Sequence, residues 1–329
     1  MKSLALLFLA LPFLAKLPAA PAAEPRFQKV TDHCYWLQLQ VDGPGYSAIV
    51  TENSVLVINP PAQPELNALL VALKKVTVKP VLWVVNTDYL YARHGGSAEL
   101  ARQGAVILQS RDLRRLAGPA PQNGPAAGAG SPEQTGAAAV AKTPGPGEEM
   151  AFERQIHLFP DNLEVRVFAI QFRAHTAGDV VVFVPSEKLL IAGDLFTAGS
   201  YPEIDREGGE GTALGWLDGM RQVIEAVPLL KSAMPQPKPD PTKPPPEEKT
   251  LEEQVIVVAA NGTVTNLQDV KDVFESAHKL RNEIARAAAS ARARDNILTS
   301  RTLNAYRGFY NLDPFATQLL AELVAQRAK

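Results

Sequence analysis

The feature that most constrains the fold is an alternation of short apolar segments with helical patterns. Residues 81–85 form an uninterrupted apolar run after Pro80, as expected of a strand that is buried on both faces. Residues 46–51 and 54–58 predict two earlier strands, and residues 63–76 place four leucines on one helical stripe. A chain that alternates strands and helices in this way is expected to adopt an α/β fold.

The alternation continues to the end of the chain. A helix is predicted at 96–103, and later strands are expected near 105–109, 163–171, 180–185, 188–192 and 255–258. Further helices are predicted near 213–229 and after Asn266, Ser300 and Asp313, where Asn266 is a favourable N-cap residue. With 329 residues, of which 46% are hydrophobic, the chain is long enough to bury a sizeable core.

Charge and cysteine content exclude several classes of function. The formal net charge of −2 gives no reason to expect a polyanionic partner, so no nucleic-acid binding is predicted. Cys34 is the single cysteine, which excludes an internal disulfide and a cysteine-rich metal site.

The first 22 residues have the pattern of a secretory signal peptide. Lys2 provides the positive start, residues 4–15 form an apolar run, and Ala20 and Ala22 offer small residues for cleavage. Lys16 interrupts the run before it reaches the ~20 residues that a membrane span needs, so no transmembrane anchor is expected after cleavage. We therefore predict export to the periplasm or the medium.

Two low-complexity insertions are predicted within the main domain, which is expected to span residues 27–290. Residues 117–149 are rich in Ala, Gly and Pro, and residues 232–251 are dense in Pro and Lys. Segments with so few large apolar residues cannot bury enough surface to offset the entropy of ordering. Residues 291–329 are predicted to be a C-terminal helical extension that packs on the domain.

Four separated motifs carry a resemblance. Residues 87–96 read Thr-Asp-Tyr-Leu-Tyr-Ala-Arg-His-Gly-Gly, residues 175–179 His-Thr-Ala-Gly-Asp, residues 191–194 Ile-Ala-Gly-Asp, and residues 259–262 Ala-Ala-Asn-Gly. In this order they resemble the motifs of the metallo-β-lactamase superfamily, whose first signature is Thr-His-x-His-x-Asp-His-x-Gly-Gly. The resemblance implies a four-layer αββα sandwich of two mixed sheets with outer helices and a cleft at one edge.

The resemblance also assigns seven former metal-site positions, most of which have changed. They are Asp88, Leu90, Ala92, Arg93, His175, Asp194 and Asn261. Only His175 and Asp194 keep the residue type of the family. Asp88 and Asn261 can still offer an oxygen, whereas Leu90 and Ala92 cannot bind a metal.

Arg93 would place a fixed cation among these positions. A guanidinium about 4 Å from a divalent ion would cost on the order of 8 kcal/mol at an effective dielectric constant of about 20. A complete structural zinc site gains only about 10–16 kcal/mol. The sequence therefore predicts no bound cofactor, and it suggests that Arg93 bonds Asp194, Asp88 or both in place of the metal.

Three functional hypotheses remain open. The favoured one is an exported, non-catalytic pseudo-hydrolase that binds an unknown ligand or protein in the former active-site cleft. The first alternative is a hydrolase of an ester, thioester or amide that uses one zinc, iron or manganese ion held by Asp88, His175 and Asp194. The second alternative is an interaction protein that acts through its proline-rich insertion.

Overall fold

The computed structural model describes residues 27–39, 43–118, 147–229, 250–289, 296–298 and 301–327. The predicted signal peptide and the greater part of both predicted insertions lie outside the described residues. Within the described residues, no helix combines the length and the apolar character that are needed to cross a membrane.

Seven strands form the first sheet, in the order in which they occur along the chain. They are β1 (Gln28–Lys29), β2 (Cys34–Gln38), β3 (Gly45–Val50), β4 (Val55–Ile58), β5 (Val81–Val85), β6 (Val106–Ser110) and β7 (Glu149–Phe152). The pairs from β1 to β4 are antiparallel, and the pairs from β4 to β7 are parallel. This sheet is therefore mixed.

Six strands form the second sheet, in the order β13-β12-β11-β10-β9-β8. They are β8 (Gln155–Leu158), β9 (Val165–Ala169), β10 (Val180–Val184), β11 (Leu189–Ile191), β12 (Ile256–Val258) and β13 (Val264–Asn266). The pair β11–β12 is parallel and the other pairs are antiparallel, so the second sheet is also mixed.

Helices cover the outer face of each sheet. Four helices lie between the strands of the first sheet along the chain: α1 (Glu65–Lys74), α2 (Tyr89–His94), α3 (Ser97–Arg102) and α4 (Arg111–Ala117). The later helices are α5 (Ala213–Ala226), α6 (Leu251–Gln254), α7 (Leu267–Ala287) and α8 (Leu312–Arg327). Leucines of α1 pack on the outer side of β2, β3 and β4, and apolar residues of α5, α7 and α8 pack on the outer side of the second sheet.

The inner core lies between the two sheets and follows the two-residue period of the strands. On β4, Leu56 and Ile58 face the second sheet, whereas Val55 and Val57 face α1. On β10, Val180 joins the inner core and Val181 joins the outer one. Two mixed sheets packed face to face with helices outside confirm the predicted αββα sandwich.

The structure also corrects several predicted boundaries. Ala117 ends α4 and Glu149 begins β7, so the first insertion was drawn too wide at both edges, and α6 likewise begins at residue 251. The Ser110 side chain accepts a hydrogen bond from the Leu113 backbone and caps α4, which explains why this helix forms. Residues 301–306 form a 3-10 helix rather than an α-helix.

The C-terminal residues are part of the outer core. Leu303, Phe315 and Leu319 are fully buried in the cluster that also contains residues of α5 and α7. Asn266 caps α7 as predicted, because its side chain accepts a hydrogen bond from the backbone of Asp269.

Candidate functional site

Three side chains from both sheets converge at the edge of the sandwich. Asp88 follows β5 of the first sheet, His175 lies between β9 and β10, and Asp194 follows β11 of the second sheet. Each offers one metal-binding atom, and the three atoms lie within 4.8 Å of one another. The structure therefore brings together the three residues that were proposed for a single-metal site.

Asp88 is fixed by the helix that it begins. Its Oδ1 accepts a hydrogen bond from the Leu90 backbone at 2.8 Å, which makes Asp88 the N-cap of α2. Its Oδ2 accepts a weaker bond from Thr87 Oγ1 at 3.2 Å. The Asn59 amide in turn donates to Thr87 Oγ1 at 2.6 Å. Because a carboxylate has about four acceptor positions, Asp88 keeps a lone pair for a further partner.

His175 presents one ring nitrogen to the site. Its Nδ1 lies 2.8 Å from the Glu203 carbonyl oxygen, which can only accept, so Nδ1 carries the proton. In the neutral ring, Nε2 therefore has a free lone pair. Nε2 is buried without a hydrogen-bond partner among the described residues, and it lies 4.0 Å from Asp194 Oδ2. An orphaned buried nitrogen is rare and requires an explanation.

A glycine allows Asp194 to approach the first sheet. Gly193 has a φ of +55°, and a Cβ atom there would overlap with Thr87 Oγ1. Val180 also donates a backbone hydrogen bond of 2.7 Å to the Thr87 carbonyl. The Asp194 side chain keeps 25% of its surface exposed, so the site opens to solvent on this side.

Among the described side chains, carboxyl groups outnumber the imidazole in this cluster. Burial, followed by the negative charge of Asp194, raises the pKa of Asp88 to about 8. Burial also raises the pKa of Asp194. Burial lowers the pKa of His175, but the charges of Asp179, Asp194 and Asp88 outweigh this effect and raise it to about 9. At neutral pH the metal-free cluster therefore retains protons on buried groups.

Sequence reasoning missed the groups that support the three site residues. Asp179 is buried beside His175 and accepts hydrogen bonds of 3.0 Å from the Thr176 backbone to both carboxylate oxygens. Burial raises the pKa of Asp179 to about 6. The signal was available, because Asp179 ends the quoted motif at residues 175–179 and follows Thr176 at a spacing that suits a local turn.

The remaining former metal-site positions supply no further ligand among the described side chains. The Leu90 side chain is 45% exposed and has no donor atom. Asn261 is exposed, and its amide donates to the Ala198 carbonyl at 3.1 Å. The side chains of Ala92 and Arg93 lie outside the described residues, so the predicted pairing of Arg93 stays a prediction.

The three converging residues fit one divalent cation. The donor set is one imidazole nitrogen and two carboxylates, a mixture that suits zinc, iron or manganese. The orphaned His175 Nε2 is the observation that favours this fit, because an ion would give that nitrogen a partner. A second ion is not favoured, since Leu90 and Asn261 do not join the group.

A cleft of about 450 Å³ lies over this cluster. His175 and Asp194 line it together with Glu203 and Asn261. Tyr310 and Asn311 line it from the C-terminal segment, far from the other residues in sequence. The size of the cleft suits a small molecule.

The fold is similar to that of several solved structures. A metallo-beta-lactamase from Pontibacter korlensis is 15% identical, with a TM-score of 0.53, and the match covers 77% of this chain and 99% of that one. The DIM-1 metallo-beta-lactamase is 16% identical, with a TM-score of 0.51 and coverage of 78% and 98%. VMB-1 is 14% identical, with the same TM-score and coverage.

This chain is similar to these proteins in its fold and not in its sequence. No protein-family model matches the sequence, and no curated protein matches it either. At about 15% identity the similar structures show the fold alone. The chain has the metallo-β-lactamase fold.

Proposed function

We propose that this chain is an exported pseudo-hydrolase of the metallo-β-lactamase fold whose cleft binds one divalent cation and a small ligand above it. Asp88, His175 and Asp194 would hold the ion. The observation that carries the proposal is the convergence of their three donor atoms within 4.8 Å, with the His175 Nε2 left buried and unpartnered among the described residues.

The charge of the donor set supports a binding role over rapid hydrolysis. When bound, a divalent cation supplies Lewis acidity, and two carboxylate ligands neutralise the charge on which that acidity depends. The residues of this chain would then position the ligand. Asp88 is held rigidly as a helix cap, and the Glu203 carbonyl fixes the His175 ring.

A one-metal hydrolase is the second candidate, and the open side of the cluster favours it. Asp194 is one-quarter exposed toward a cleft that could admit an ester, thioester or amide. Catalytic metal sites commonly have three protein ligands and one open position. The two candidates share the ion and differ in turnover.

The decisive experiment measures metal content before activity. The untagged mature chain is expressed with zinc, iron and manganese supplements, dialysed, and assayed by plasma mass spectrometry. We expect about one ion per chain in the wild type and far less in His175→Gln. A wild-type content close to zero would refute the proposal and support the metal-free site that the sequence predicts.

The loaded protein then separates binding from catalysis. Wild type and Asp194→Asn are assayed with 4-nitrophenyl acetate, S-phenyl thioacetate and 4-nitroacetanilide. We expect no difference between the two proteins with any substrate. Hydrolysis that requires both the ion and Asp194 would establish the one-metal hydrolase instead.

Export remains part of this proposal. N-terminal sequencing of periplasmic or secreted protein should start within a few residues of Ala23. A soluble protein that retains Met1 would contradict it. The proline-rich segment is tested separately, by deleting residues 234–248 and asking whether cation binding is unaffected.

A further inference from the structure

The main chain of residues 199–215, the orienting segment, fixes both the ring and the backbone of His175. The Glu203 carbonyl accepts a hydrogen bond of 2.8 Å from His175 Nδ1, and the Asp205 N–H donates one of 3.0 Å to the His175 carbonyl. A hydrogen bond at one ring nitrogen decides which nitrogen is left to bind an ion, and it also fixes the plane of the ring. The direction of His175 Nε2 therefore depends on where this segment lies.

The end of the orienting segment lies directly against the residues around His175. The Thr212 N–H donates to the carbonyls of Arg173 and Ala174, each at 3.1 Å. A Cβ atom at Gly211 would lie only 2.1 Å from the His175 carbonyl oxygen. Only glycine permits such a close approach of two main chains. A shift at the start of α5 would therefore also move the backbone of His175.

The C-terminal segment, residues 301–327, holds one end of the orienting segment. The Asn311 amide donates a hydrogen bond of 2.9 Å to the Pro202 carbonyl. Pro202 directly precedes Glu203, whose carbonyl accepts from the imidazole. The backbone of Tyr310 pairs with the same end through two hydrogen bonds of 3.0 Å. The main chain that leads to Glu203 is therefore bound to the C-terminal segment.

Helix α8 of the C-terminal segment holds the other end of the orienting segment. Glu322 accepts hydrogen bonds from the backbone N–H groups of Ala213 at 2.9 Å and of Leu214 at 3.0 Å. These belong to the first N–H groups of α5, which have no acceptor within their own helix. The negative charge of the carboxylate also suits the positive end of the helix dipole. Glu322 therefore fixes the start of α5.

We propose that Asn311 and Glu322 are positioning residues, which hold His175 in the orientation that binds the ion. Along the chain, their contacts lie on either side of the main-chain groups of Glu203 and Asp205 that bond His175. The inference rests on the proposed function, because it names residues that act on the same ion through His175. It gives the C-terminal segment a role in the affinity of the site, in addition to its place in the outer core.

A role in folding alone predicts a different result from a positioning role. If Asn311 and Glu322 only stabilise the fold, their loss lowers the free energy of unfolding and leaves the affinity of the folded protein for the ion unchanged. If they position His175, the affinity falls even when a control variant is destabilised to the same extent. Stability and affinity must therefore be measured on the same proteins.

The variants remove the two contacts with little other change. Asn311→Gly removes the amide, and glycine adopts the φ of +61° at this position without strain. Glu322→Gln keeps the size of the side chain but offers one acceptor oxygen to two N–H groups. Val324→Ala is the matched control, because Val324 lies on the same helix, packs on the outer core and has no polar side-chain atom.

The affinity of the mature chain for manganese is measured by isothermal titration calorimetry. Loss of a group that orients a metal-binding histidine typically costs about 10- to 100-fold in affinity. We therefore expect Asn311→Gly/Glu322→Gln to bind manganese about 10-fold more weakly than wild type. Val324→Ala should unfold at a lower urea concentration and bind manganese as wild type does. A double variant within about 2-fold of wild type, or an equal loss of affinity in Val324→Ala, would overturn the inference.

Nuclear magnetic resonance of EDTA-treated protein with ¹⁵N-labelled histidine tests the orientation without the ion. His175 is buried and its Nδ1–H bonds the Glu203 carbonyl, so this proton should exchange slowly with water. Its resonance is identified by its absence from His175→Gln. We expect exchange to be at least about 10-fold faster in the double variant and close to the wild-type rate in Val324→Ala. Equal rates in wild type and the double variant would overturn the inference.

The two measurements separate the possible failures. A wild type that binds no manganese refutes the proposed function, and the exchange measurement still decides whether Asn311 and Glu322 position His175. A wild type that binds manganese with the same affinity as the double variant refutes the positioning role alone.

Discussion

Replacing Asp88 by asparagine tests whether this buried carboxyl is balanced by a cation. Asparagine caps a helix as well as aspartate does, so Asp88→Asn should preserve the start of α2. It removes the ionisable group whose pKa burial raises to about 8. In the unfolded chain an aspartate has a pKa of about 3.9.

The magnitude follows from that difference in pKa. In the metal-free native chain Asp88 stays protonated at pH 7, which is about three pH units above its pKa in the unfolded chain. Each pH unit corresponds to about 1.4 kcal/mol of lost stability. Because protons are shared with Asp194 and His175, we expect Asp88→Asn to be about 2–4 kcal/mol more stable than wild type. At pH 5 the difference should fall to about 1 kcal/mol.

The sign of the pH dependence is fixed by proton binding. Between about pH 4 and pH 8 the native wild type binds more protons at Asp88 than the unfolded chain does, so its stability falls as the pH rises. Asp88→Asn lacks this contribution. Urea unfolding of EDTA-dialysed proteins at pH 5 and pH 7, followed by circular dichroism, measures both effects.

Two comparisons complete the design. Asp88→Ala removes the charge and the cap together, so it should be about 1 kcal/mol less stable than Asp88→Asn. Manganese at 100 times its Kd should stabilise wild type by about 2.7 kcal/mol and Asp88→Asn by much less. A metal-free Asp88→Asn that is less stable than wild type at pH 7 would refute the reasoning, because a fixed cation would then already balance Asp88.

Three further predictions concern the same site. The affinity for manganese should rise from pH 6 to pH 8, because binding releases the protons that Asp88 and His175 retain. Calorimetry in buffers of different ionisation enthalpy should detect the released protons. An affinity that does not depend on pH would contradict this prediction. Gly193→Ala should lower the free energy of unfolding by at least about 2 kcal/mol through its overlap with Thr87, whereas Gly199→Ala, with a similar φ and open space, should lower it by about 1 kcal/mol. The buried pair that the sequence suggests for Arg93 predicts that Arg93→Ala lowers the free energy of unfolding in urea by about 3–5 kcal/mol, whereas a metal ion that takes the place of Arg93 predicts a loss of no more than about 1 kcal/mol.

The sequence predicted most of the strands because their signal is local. Continuous apolar runs such as Val180–Val184 identify buried strands without knowledge of their neighbours. The run Val81–Val85 is a strand as predicted, but the prediction that both of its faces are buried was wrong, because Val84 and Val85 are buried whereas Leu82 is 41% exposed. β7 and β8 were missed because they are short, and Glu149, Gln155 and His157 interrupt their apolar character. The helix α2 was not predicted because Asp88 was considered only as a former ligand, although an aspartate there is also an N-cap signal.

The candidate site was predicted in part for a similar reason. The order of the motifs assigned Asp88, His175 and Asp194 to former metal-site positions of one fold. The structure brings these three residues together. Tyr310 could not be found in this way, because its place in the cleft depends on the packing of Phe309 and Phe315 against Tyr201. Contacts at such long sequence separation leave no periodic pattern in the chain.

The origin of the three site residues on two different sheets gives the cluster a mechanical role. An ion bridging Asp88 to His175 and Asp194 would clamp the two layers at their open edge, where Thr87 and Val180 already join them. Affinity for the ion would then depend on the spacing of the layers, so a substitution deep in the inner core could alter it without touching a ligand. By reciprocity, the bound ion would oppose any separation of the sheets. The measured affinity for the ion would then report how closely the two sheets are packed at this edge.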